Sequence, residues 1–214
     1  MADDPLDIIR QALRPERWAK MERALNHRLG AVRVVIENLH HPHNLSAVMR
    51  TCEGLGVQHL HVVDTRENTV PSRRITLGAH KWLSIHRHDR FEECGRDLKA
   101  RGFRLFAAML DPGAVALEEI PVDAPVALVF GNERDGVSPA ARAWCDGAYT
   151  IPMYGFVQSF NVSVAVAVSL YSVTQRVRQR PGGGLLTAEE RREVLEQWLP
   201  KSLRFGRRLV RGRG

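Results

Sequence analysis

The sequence predicts an α/β protein with a mostly parallel central sheet, and two features of its pattern support this fold class. Short runs of apolar and β-branched residues recur along the chain, separated by longer stretches of mixed polarity. This alternation is typical of strand–helix units. The run Val126–Phe130 (VALVF) is entirely apolar, as expected for a strand covered by helices on both faces.

Each element follows from its local pattern. Residues 5–29 are predicted to be helical, with a break or restart at Pro15 because proline disrupts a helix interior. Further helices are predicted over about 45–56, 89–101, 138–146 and 187–199. Strands are predicted over 32–36, 59–64, 82–86, 103–110, 126–130 and 148–153. Asn44 stands at the expected N-cap of the helix near residue 45, and Thr187 with Glu190 forms a capping box.

The segment 161–169 (NVSVAVAVS) gives two conflicting signals. Its valines alternate with small residues at period two, which by pattern alone predicts a strand. Its continuation beyond Tyr171 equally suits a helix with a face of small residues, and the pattern does not decide between the two. The glycine-rich residues 181–184 (PGGG) predict a flexible joint after it.

Helical pattern and charge divide the chain into an N-terminal helical arm (1–30), a core (31–175) and a C-terminal arm and tail (176–214). The last segment carries eleven Lys or Arg and four Asp or Glu, which accounts for the whole net charge of +7. Basic side chains mixed with apolar ones favour RNA contact over a merely solubilising tail. The arginines expected to bind RNA are Arg10, Arg17, Arg204, Arg207, Arg208 and Arg211.

Composition excludes several classes of protein. At 44% hydrophobic and 26% charged residues, the chain is typical of globular proteins. No apolar run approaches the roughly 20 residues of a membrane-spanning helix, so no membrane partner is expected. The N-terminus begins acidic and lacks a long apolar stretch, so no secretory signal is expected and the predicted location is the cytoplasm.

No metal or phosphate-loop motif is found. Residues 54–59 (GLGVQH) begin like a dinucleotide-binding loop but end in histidine and precede a strand. The histidines of residues 40–43 match no zinc spacing and suit a polar turn better. The cysteines are odd in number and widely spaced, which argues against both a disulfide framework and a zinc site: Cys52, Cys94 and Cys145. We therefore expect no bound metal.

Three segments contain polar residues that a hydrophobic core alone does not require: 41–56 (HPHNLSAVMRTCEGLG), 130–138 (FGNERDGVS) and 151–163 (IPMYGFVQSFNVS). The second follows the buried VALVF strand. Gly131 and Glu133 thus lie at the carboxyl end of a parallel strand, where α/β sheets place their ligands. Taken singly, each segment has an ordinary structural explanation, such as a helix cap, a solvated charge or a turn acid.

Taken together and in this order, the segments resemble the three motifs of SpoU-class SPOUT RNA 2′-O-ribose methyltransferases. The match runs N-x-S-A-x-x-R-T, F-G-x-E-x-x-G-[VI]-S and I-P-M-x-G-x-V-Q-S-x-N-V-S, over roughly residues 32–171. Within this SpoU/TrmH family the chain is most similar to members that methylate a guanosine of the tRNA D-loop, guanosine-18. The alternatives are another tRNA or ribosomal RNA site, or a non-catalytic RNA-binding relative.

The resemblance implies finer features of the fold and a cofactor. It implies a SPOUT-type sheet with a C-terminal trefoil knot, a homodimer, S-adenosyl-L-methionine as methyl donor, and a helix over 161–169. The cofactor would be held by the backbone of three loops, at Ala108, Gly131, Asn132, Ile151 and Phe160. Phe160 stands where the family has leucine, a change that a main-chain contact tolerates.

The resemblance also implies the catalytic residues Arg50, Asn44, Glu133, Ser159 and Asn161. Arg50 matches the arginine to which the family's mechanisms assign activation of the ribose 2′-hydroxyl. A guanidinium is normally protonated. Arg50 therefore acts either as a demanding general base or by gripping the adjacent phosphate and stabilising the forming alkoxide. Asn44 would position Arg50 or the ribose, and the other three would order the loops and the dimeric site.

Overall fold

The structure is a computed structural model that describes residue 6, residues 10–64, residue 76 and residues 78–202. The chain divides into two compact units. One is continuous, Leu29–Gly184, and the other combines the two ends of the chain, Met1–Arg28 and Leu185–Gly214. The described helices include none that is both long and apolar enough to cross a membrane.

The continuous unit is built on a seven-stranded sheet in which every neighbouring pair is parallel. The strands are β1 (Leu29–Glu37), β2 (Val57–Val63), β3 (Ser84–His88), β4 (Arg104–Ala108), β5 (Val115–Ala116), β6 (Val126–Phe130) and β7 (Gly147–Thr150). Their order across the sheet is β3-β2-β1-β6-β4-β7-β5. This confirms the predicted α/β fold class with a parallel sheet, while the trefoil knot stays a prediction.

Six α-helices and two short 3-10 helices lie entirely within the described residues. The α-helices are α1 (Pro15–Asn26), α2 (Pro42–Leu55), α3 (Phe91–Ala100), α4 (Pro139–Trp144), α5 (Val162–Arg178) and α6 (Ala188–Ser202). The 3-10 helices are Ala79–Lys81 and Leu117–Glu119. The Thr187–Glu190 capping box at the start of α6 is confirmed. The Thr187 N–H donates to Glu190 Oε2 at 2.9 Å, and the Glu190 N–H donates to Thr187 Oγ1 at 3.2 Å.

The core forms two layers, one on each face of the sheet, because alternate side chains of a strand point to opposite faces. In β6, Leu128 packs into the layer that contains residues of α2 and α5. Its neighbour Val129 packs into the layer that contains residues of α3 and α4. Both side chains are fully buried, which explains why the strand sequence is apolar throughout rather than alternating.

The ambiguous segment 161–169 is helical, as the family resemblance implies, and the strand interpretation from its period-two pattern is wrong. The buried apolar positions in α5 are Val166, Leu170, Val173 and Val177, a spacing of four, three and four that follows the period of a helix. The small residues between the valines allow close packing, and Ala165 lies against the same core layer.

Two further details differ from the sequence prediction. Asn44 is not an N-cap, because α2 begins earlier, at Pro42, with His41 as its N-cap residue. Proline suits the first turn of a helix, where its missing N–H costs nothing. The strand β5 was not predicted, since a run of two residues carries no detectable periodicity.

In the unit formed by the chain ends, α1 and α6 contact each other directly. Arg191 Nη2 donates to Asn26 Oδ1 at 2.7 Å, and Ser202 Oγ donates to Met21 Sδ at 3.3 Å. Arg28 stacks over the Trp198 ring at 5.1 Å from its centroid. The arms that precede and follow the core in sequence thus form one small helical unit.

Two glycines give a matched test of the packing. A Cβ at Gly95 in α3 would lie 2.7 Å from Cδ2 of Trp144, whereas one at Gly54 in α2 would meet nothing within 4 Å. We expect Gly95→Ala to lower the free energy of unfolding by about 1–3 kcal/mol through overpacking. Gly54→Ala should raise it by about 0.5–1 kcal/mol through lower backbone entropy of the unfolded chain. Urea denaturation of both variants measures the two changes in the free energy of unfolding, which should have opposite signs.

Candidate active site

The three polar segments lie on loops that leave the carboxyl ends of neighbouring strands. The first follows β1, the second follows β6, which is hydrogen-bonded to β1, and the third follows β7, which lies one strand further, beyond β4. Because all these strands are parallel, their carboxyl ends share one edge of the sheet. This edge is where open α/β sheets bind their ligands.

The carboxylate of Glu133 joins the first two loops. Its Oε2 accepts a hydrogen bond from the His40 N–H at 2.9 Å, and its Oε1 accepts one from the His41 N–H at 3.4 Å. Asn44 Nδ2 donates to the same Oε1 at 2.6 Å. One side chain on the β6 loop therefore fixes both the backbone that enters α2 and a side chain in its first turn.

Asn44 continues this network to the third loop. Its Oδ1 accepts a hydrogen bond from Asn161 Nδ2 at 3.2 Å. Asn161 is the N-cap of α5, where its Oδ1 accepts from the Ser163 N–H at 2.9 Å and from Ser163 Oγ at 2.7 Å. Glu133, Asn44 and Asn161, one from each sequence motif, thus form a single hydrogen-bonded chain.

The same hydrogen bonds set the charge of Glu133. Partial burial raises the pKa of Glu133, but hydrogen bonds from the His40 N–H and the Asn44 amide outweigh this, so the pKa lies below its usual range. Glu133 is therefore a carboxylate at neutral pH. Its contribution to loop order is present above the ordinary glutamate pKa and is lost only as the pH falls through the lowered value.

The β6 loop has a backbone shape that only glycine permits at its first position. A Cβ at Gly131 would lie 1.8 Å from the Gly136 carbonyl oxygen. Asn132 and Gly136 exchange backbone hydrogen bonds of 3.1 and 3.2 Å. Asn132 Oδ1 also accepts from the N–H groups of Arg134 and Asp135 at 2.9 and 2.8 Å. The loop is consequently closed on itself and presents main-chain groups to the space beside it.

A buried acid that no sequence motif indicates anchors the far end of this loop. Glu37, the last residue of β1, is only 5% exposed. Its Oε1 accepts from Ser138 Oγ at 2.7 Å and its Oε2 from the Ser138 N–H at 3.0 Å. Glu37 comes shortly before the histidines of residues 40–43, but a single acid at a strand end carries no signal of a partner 101 positions away.

The segments that follow β4, β6 and β7 enclose a cleft of about 590 Å³. All five residues predicted from the family resemblance to hold a cofactor line it, namely Ala108, Gly131, Asn132, Ile151 and Phe160. Apolar side chains that were not predicted share the wall, among them Met109, Leu110 and Met153. The volume lies within the roughly 300–1,000 Å³ typical of small-molecule sites, and mixed apolar and backbone polar walls are also typical.

The predicted catalytic residues are only partly brought together. Glu133, Ser159 and Asn161 line the cleft, and Asn44 contacts two of them. Arg50 does not line the cleft. It lies six positions beyond Asn44 in α2, about 9 Å further along the helix axis. Its exposed guanidinium has no hydrogen-bond or ion-pair partner among the residues that the structure describes.

Two of the predicted RNA-binding arginines lie in the described part of the terminal unit. Arg10 is exposed and stacks over Trp18, with the guanidinium 4.6 Å from the ring centroid. Arg17 lies in α1 and is partly buried. The other four lie outside the described residues: Arg204, Arg207, Arg208 and Arg211. Their role stays a prediction.

A parallel α/β sheet with three linked loops and a cleft at its carboxyl edge is the layout of a ligand-binding site. A family model described as the SpoU rRNA Methylase family matches residues 31–171. The tRNA (guanosine(18)-2′-O)-methyltransferase of Thermus thermophilus is 40% identical over 190 residues, covering 86% of this chain and 96% of the relative. The chain therefore belongs to the SpoU methylase family and is a methyltransferase, which confirms the resemblance seen in the sequence.

Two solved structures agree with this assignment. The TrmH/SpoU tRNA modifying enzyme of A. aeolicus superposes with a TM-score of 0.79 at 34% identity, covering 88% of this chain and 97% of that one. The SpoU methyltransferase AviRb from Streptomyces viridochromogenes, solved in complex with AdoMet, superposes with a TM-score of 0.61 at 25% identity. That match covers 74% of this chain and 62% of the other.

Glu37 offers a test of loop anchoring. In Glu37→Met an apolar side chain of similar length replaces both carboxylate oxygens, so the Ser138 N–H loses its acceptor at a cost of about 1–3 kcal/mol. We expect faster amide hydrogen exchange across residues 131–138, measured by mass spectrometry. Glu119→Met is the control, because Glu119 accepts from the exposed Ala116 N–H. Unchanged exchange in the Glu37 variant would show that the loop holds itself.

Proposed function

We propose that the protein transfers a methyl group from S-adenosyl-L-methionine to a ribose 2′-hydroxyl of tRNA, most specifically at guanosine-18 of the D-loop. One observation carries the proposal: the Glu133–Asn44–Asn161 chain links all three motif loops, and two of these loops line a cleft of suitable size. Membership of the SpoU family and the activity of the Thermus thermophilus relative support the reaction and the nucleotide.

The cleft suits S-adenosyl-L-methionine by its chemistry. The Gly136 backbone lies so close to Gly131 that a Cβ has no room, which folds the loop tightly. Main-chain groups of this loop can bind an adenine edge or a ribose in the cleft. Leu110, Ile151 and Met153 offer an apolar wall. The AdoMet complex of AviRb supports the same choice of methyl donor. When bound, the cofactor would supply an electrophilic methyl group on a sulfonium.

The protein residues then have to hold the ribose hydroxyl and compensate for the loss of its proton. Arg50 is exposed at the solvent side of α2, where an RNA phosphate can reach it. A guanidinium binds phosphate oxygens in a bidentate fashion and stabilises a forming alkoxide without losing a proton. We therefore favour phosphate and alkoxide stabilisation over general-base catalysis for Arg50. Asn44, held by Glu133 and Asn161, acts in this scheme as a positioning residue.

The role of Arg50 is tested by Arg50→Ala. We expect tritiated-methyl incorporation into tRNA to fall by at least ~100-fold, as for loss of one transition-state donor. Titration calorimetry with S-adenosyl-L-methionine should give a near wild-type affinity, because Arg50 does not line the cleft. Arg96→Ala, which removes another exposed helical arginine, is the control. Methyl incorporation by Arg50→Ala near the wild-type rate would exclude the assignment.

The nucleotide is identified by mapping 2′-O-methylated positions in total tRNA after incubation with enzyme and cofactor. Methylation at guanosine-18 alone supports the full proposal. Methylation at another tRNA position, or of ribosomal RNA offered in parallel, would support the proposed methyl transfer but show that guanosine-18 is not the target. Binding of cofactor and tRNA with no methylation at all would identify a non-catalytic relative.

We also propose that the enzyme works as a homodimer in the cytoplasm, where tRNA is modified. Exposed apolar residues occur at Val164, Val168 and Tyr171 of α5, and their spacing of four and three places them on one helix face. Tyr154 and Phe156 are also exposed, on the loop that leads into this helix. Exposed apolar residues on one helix face are typical of a protein–protein interface, and a second copy of the chain is the proposed partner.

The dimer is tested by Val168→Glu. A buried, unpaired carboxylate at the interface should shift the protein to a monomer in size-exclusion chromatography with light scattering. Ala140→Glu places the same charge on an exposed position of α4 and should leave the mass unchanged. A wild-type protein that is monomeric at micromolar concentration would overturn the proposal.

The basic tail is tested by deleting residues 203–214, which leaves α6 complete. Binding of tRNA should weaken, and the dependence of log Kd on log salt should flatten by about 0.7–0.9 for each phosphate that the tail no longer neutralises. Filter-binding titrations at several salt concentrations measure both effects. An unchanged salt slope would show that the tail serves solubility instead.

A further inference from the structure

Four histidines lie side by side on the β2–β3 edge of the sheet, outside the cleft: His59, His61, His86 and His88. Nδ1 of His59 lies 3.0 Å from Nε2 of His86, and Nδ1 of His61 lies 3.0 Å from Nε2 of His88. The rings are stacked, with the His61 and His86 centroids 4.6 Å apart. Because alternate residues of a strand share a face, all four point to the side of the sheet that α3 covers.

Cys94 of α3 adds a sulfur atom to this group. One ligand atom from each of His61, His88 and Cys94 lies within 4.8 Å of the other two. His61 and Cys94 are fully buried, whereas His88 is partly exposed. Zinc binds imidazole nitrogen at about 2.0–2.1 Å and thiolate sulfur at about 2.3 Å. Ligand atoms at these distances from a tetrahedral ion are about 3.3–3.6 Å apart, so the three atoms lie within about 1.5 Å of the required separations.

The protonation states of these side chains suit a metal ligand. Burial lowers the pKa of His61 and of His88, so both rings are neutral at pH 7, the form that coordinates metals. Burial, followed by the charge of Asp97, raises the pKa of the Cys94 thiol to about 12. A bound cation would replace that thiol proton, because coordination deprotonates a thiol outright.

One neighbouring charge opposes a cation. Arg33 Nη1 lies 3.5 Å from Nε2 of His61, which favours the tautomer with a proton on Nδ1. Coordination through Nδ1 moves that proton to Nε2 and displaces Arg33, but a contact of 3.5 Å is at the limit of a hydrogen bond. Arg33 also has a second partner, since its guanidinium lies 4.6 Å from the centre of the Phe103 ring.

We propose that His61, His88 and Cys94 bind one Zn²⁺ ion, with a water molecule as fourth ligand on the partly exposed side of His88. Binding exchanges one thiol proton for the metal and changes no oxidation state. Soft thiolate with imidazole selects Zn²⁺ over Mg²⁺ or Ca²⁺, which prefer oxygen ligands. The ion would connect the edge strand β3 to β2 and α3, and the site is independent of the proposed methyl transfer.

A zinc ion at this site would be contrary to the expectation of no bound metal, which rested on the histidines of residues 40–43 and on the spacing of the cysteines in sequence. The three ligands come from two strands and a helix, and no sequence spacing reveals that the register pairs Val63 with His88 and His61 with His86.

The test starts from full-length protein stripped with a chelator and titrated with Co²⁺ as a spectroscopic substitute, then with Zn²⁺. We expect one metal ion per chain, a thiolate-to-cobalt charge-transfer band, and release of one proton per ion in calorimetry with buffers of different ionisation enthalpy. Added Zn²⁺ should raise the Tm of the wild-type protein by several degrees, since a ligand of the native state stabilises it.

Variants assign the ligands. Cys94→Ser should abolish the charge-transfer band, and His88→Gln should abolish the Zn²⁺-dependent rise in Tm. Cys145→Ser is the matched control, because burial also raises the pKa of the Cys145 thiol to about 12, yet Cys145 is outside the group. If Cys94→Ser does not fold, the number of protons released per ion by the wild-type protein and the Tm response of His88→Gln decide whether the site exists. Absence of saturable binding, or a band that survives Cys94→Ser, would refute the site.

Discussion

The Glu133 carboxylate is the interaction on which the candidate site depends. It accepts hydrogen bonds from two backbone N–H groups and one amide. That amide belongs to Asn44, which also bonds to Asn161, 117 positions beyond Asn44 in the chain. Loops at the end of a sheet are mobile unless they are tied to each other. Here one ionised group sets the relative positions of three loops, so the cleft can be preformed before any ligand binds.

The fold class and the motif loops were predictable from sequence, because a strand such as β6 and a linked set of motifs leave strong local patterns. Side-chain partners across the fold leave none. Glu37 and Ser138 are 101 positions apart, and nothing near Glu37 signals their contact. The N-cap prediction for Asn44 was wrong because the helix begins at Pro42. The Asn44 side chain instead bonds to Glu133 and Asn161 and so links their two loops.

The wall of the cleft combines a loop closed by its backbone with apolar side chains. Gly131 has no space for a Cβ, and the Asn132–Gly136 bonds close its loop with main-chain groups. Met109, Leu110 and Met153 add apolar surface to the same wall. The glycine belongs to a motif that the sequence displays, whereas these apolar residues resemble any others in a core and were not predicted.

The helical unit assembled from both chain ends constrains how the protein is made. Asn26 and its partner Arg191 are 165 positions apart, so on a ribosome adding about 5–20 residues per second the first helix waits roughly 10–30 s for the last. Throughout that interval the Met21 face of α1 has no α6 to cover it. Residues 29–184 can meanwhile form their sheet, which makes closure of the terminal unit the final event of biogenesis. A nascent chain arrested before α6 would then leave the apolar face of α1 uncovered, the kind of surface that chaperones bind.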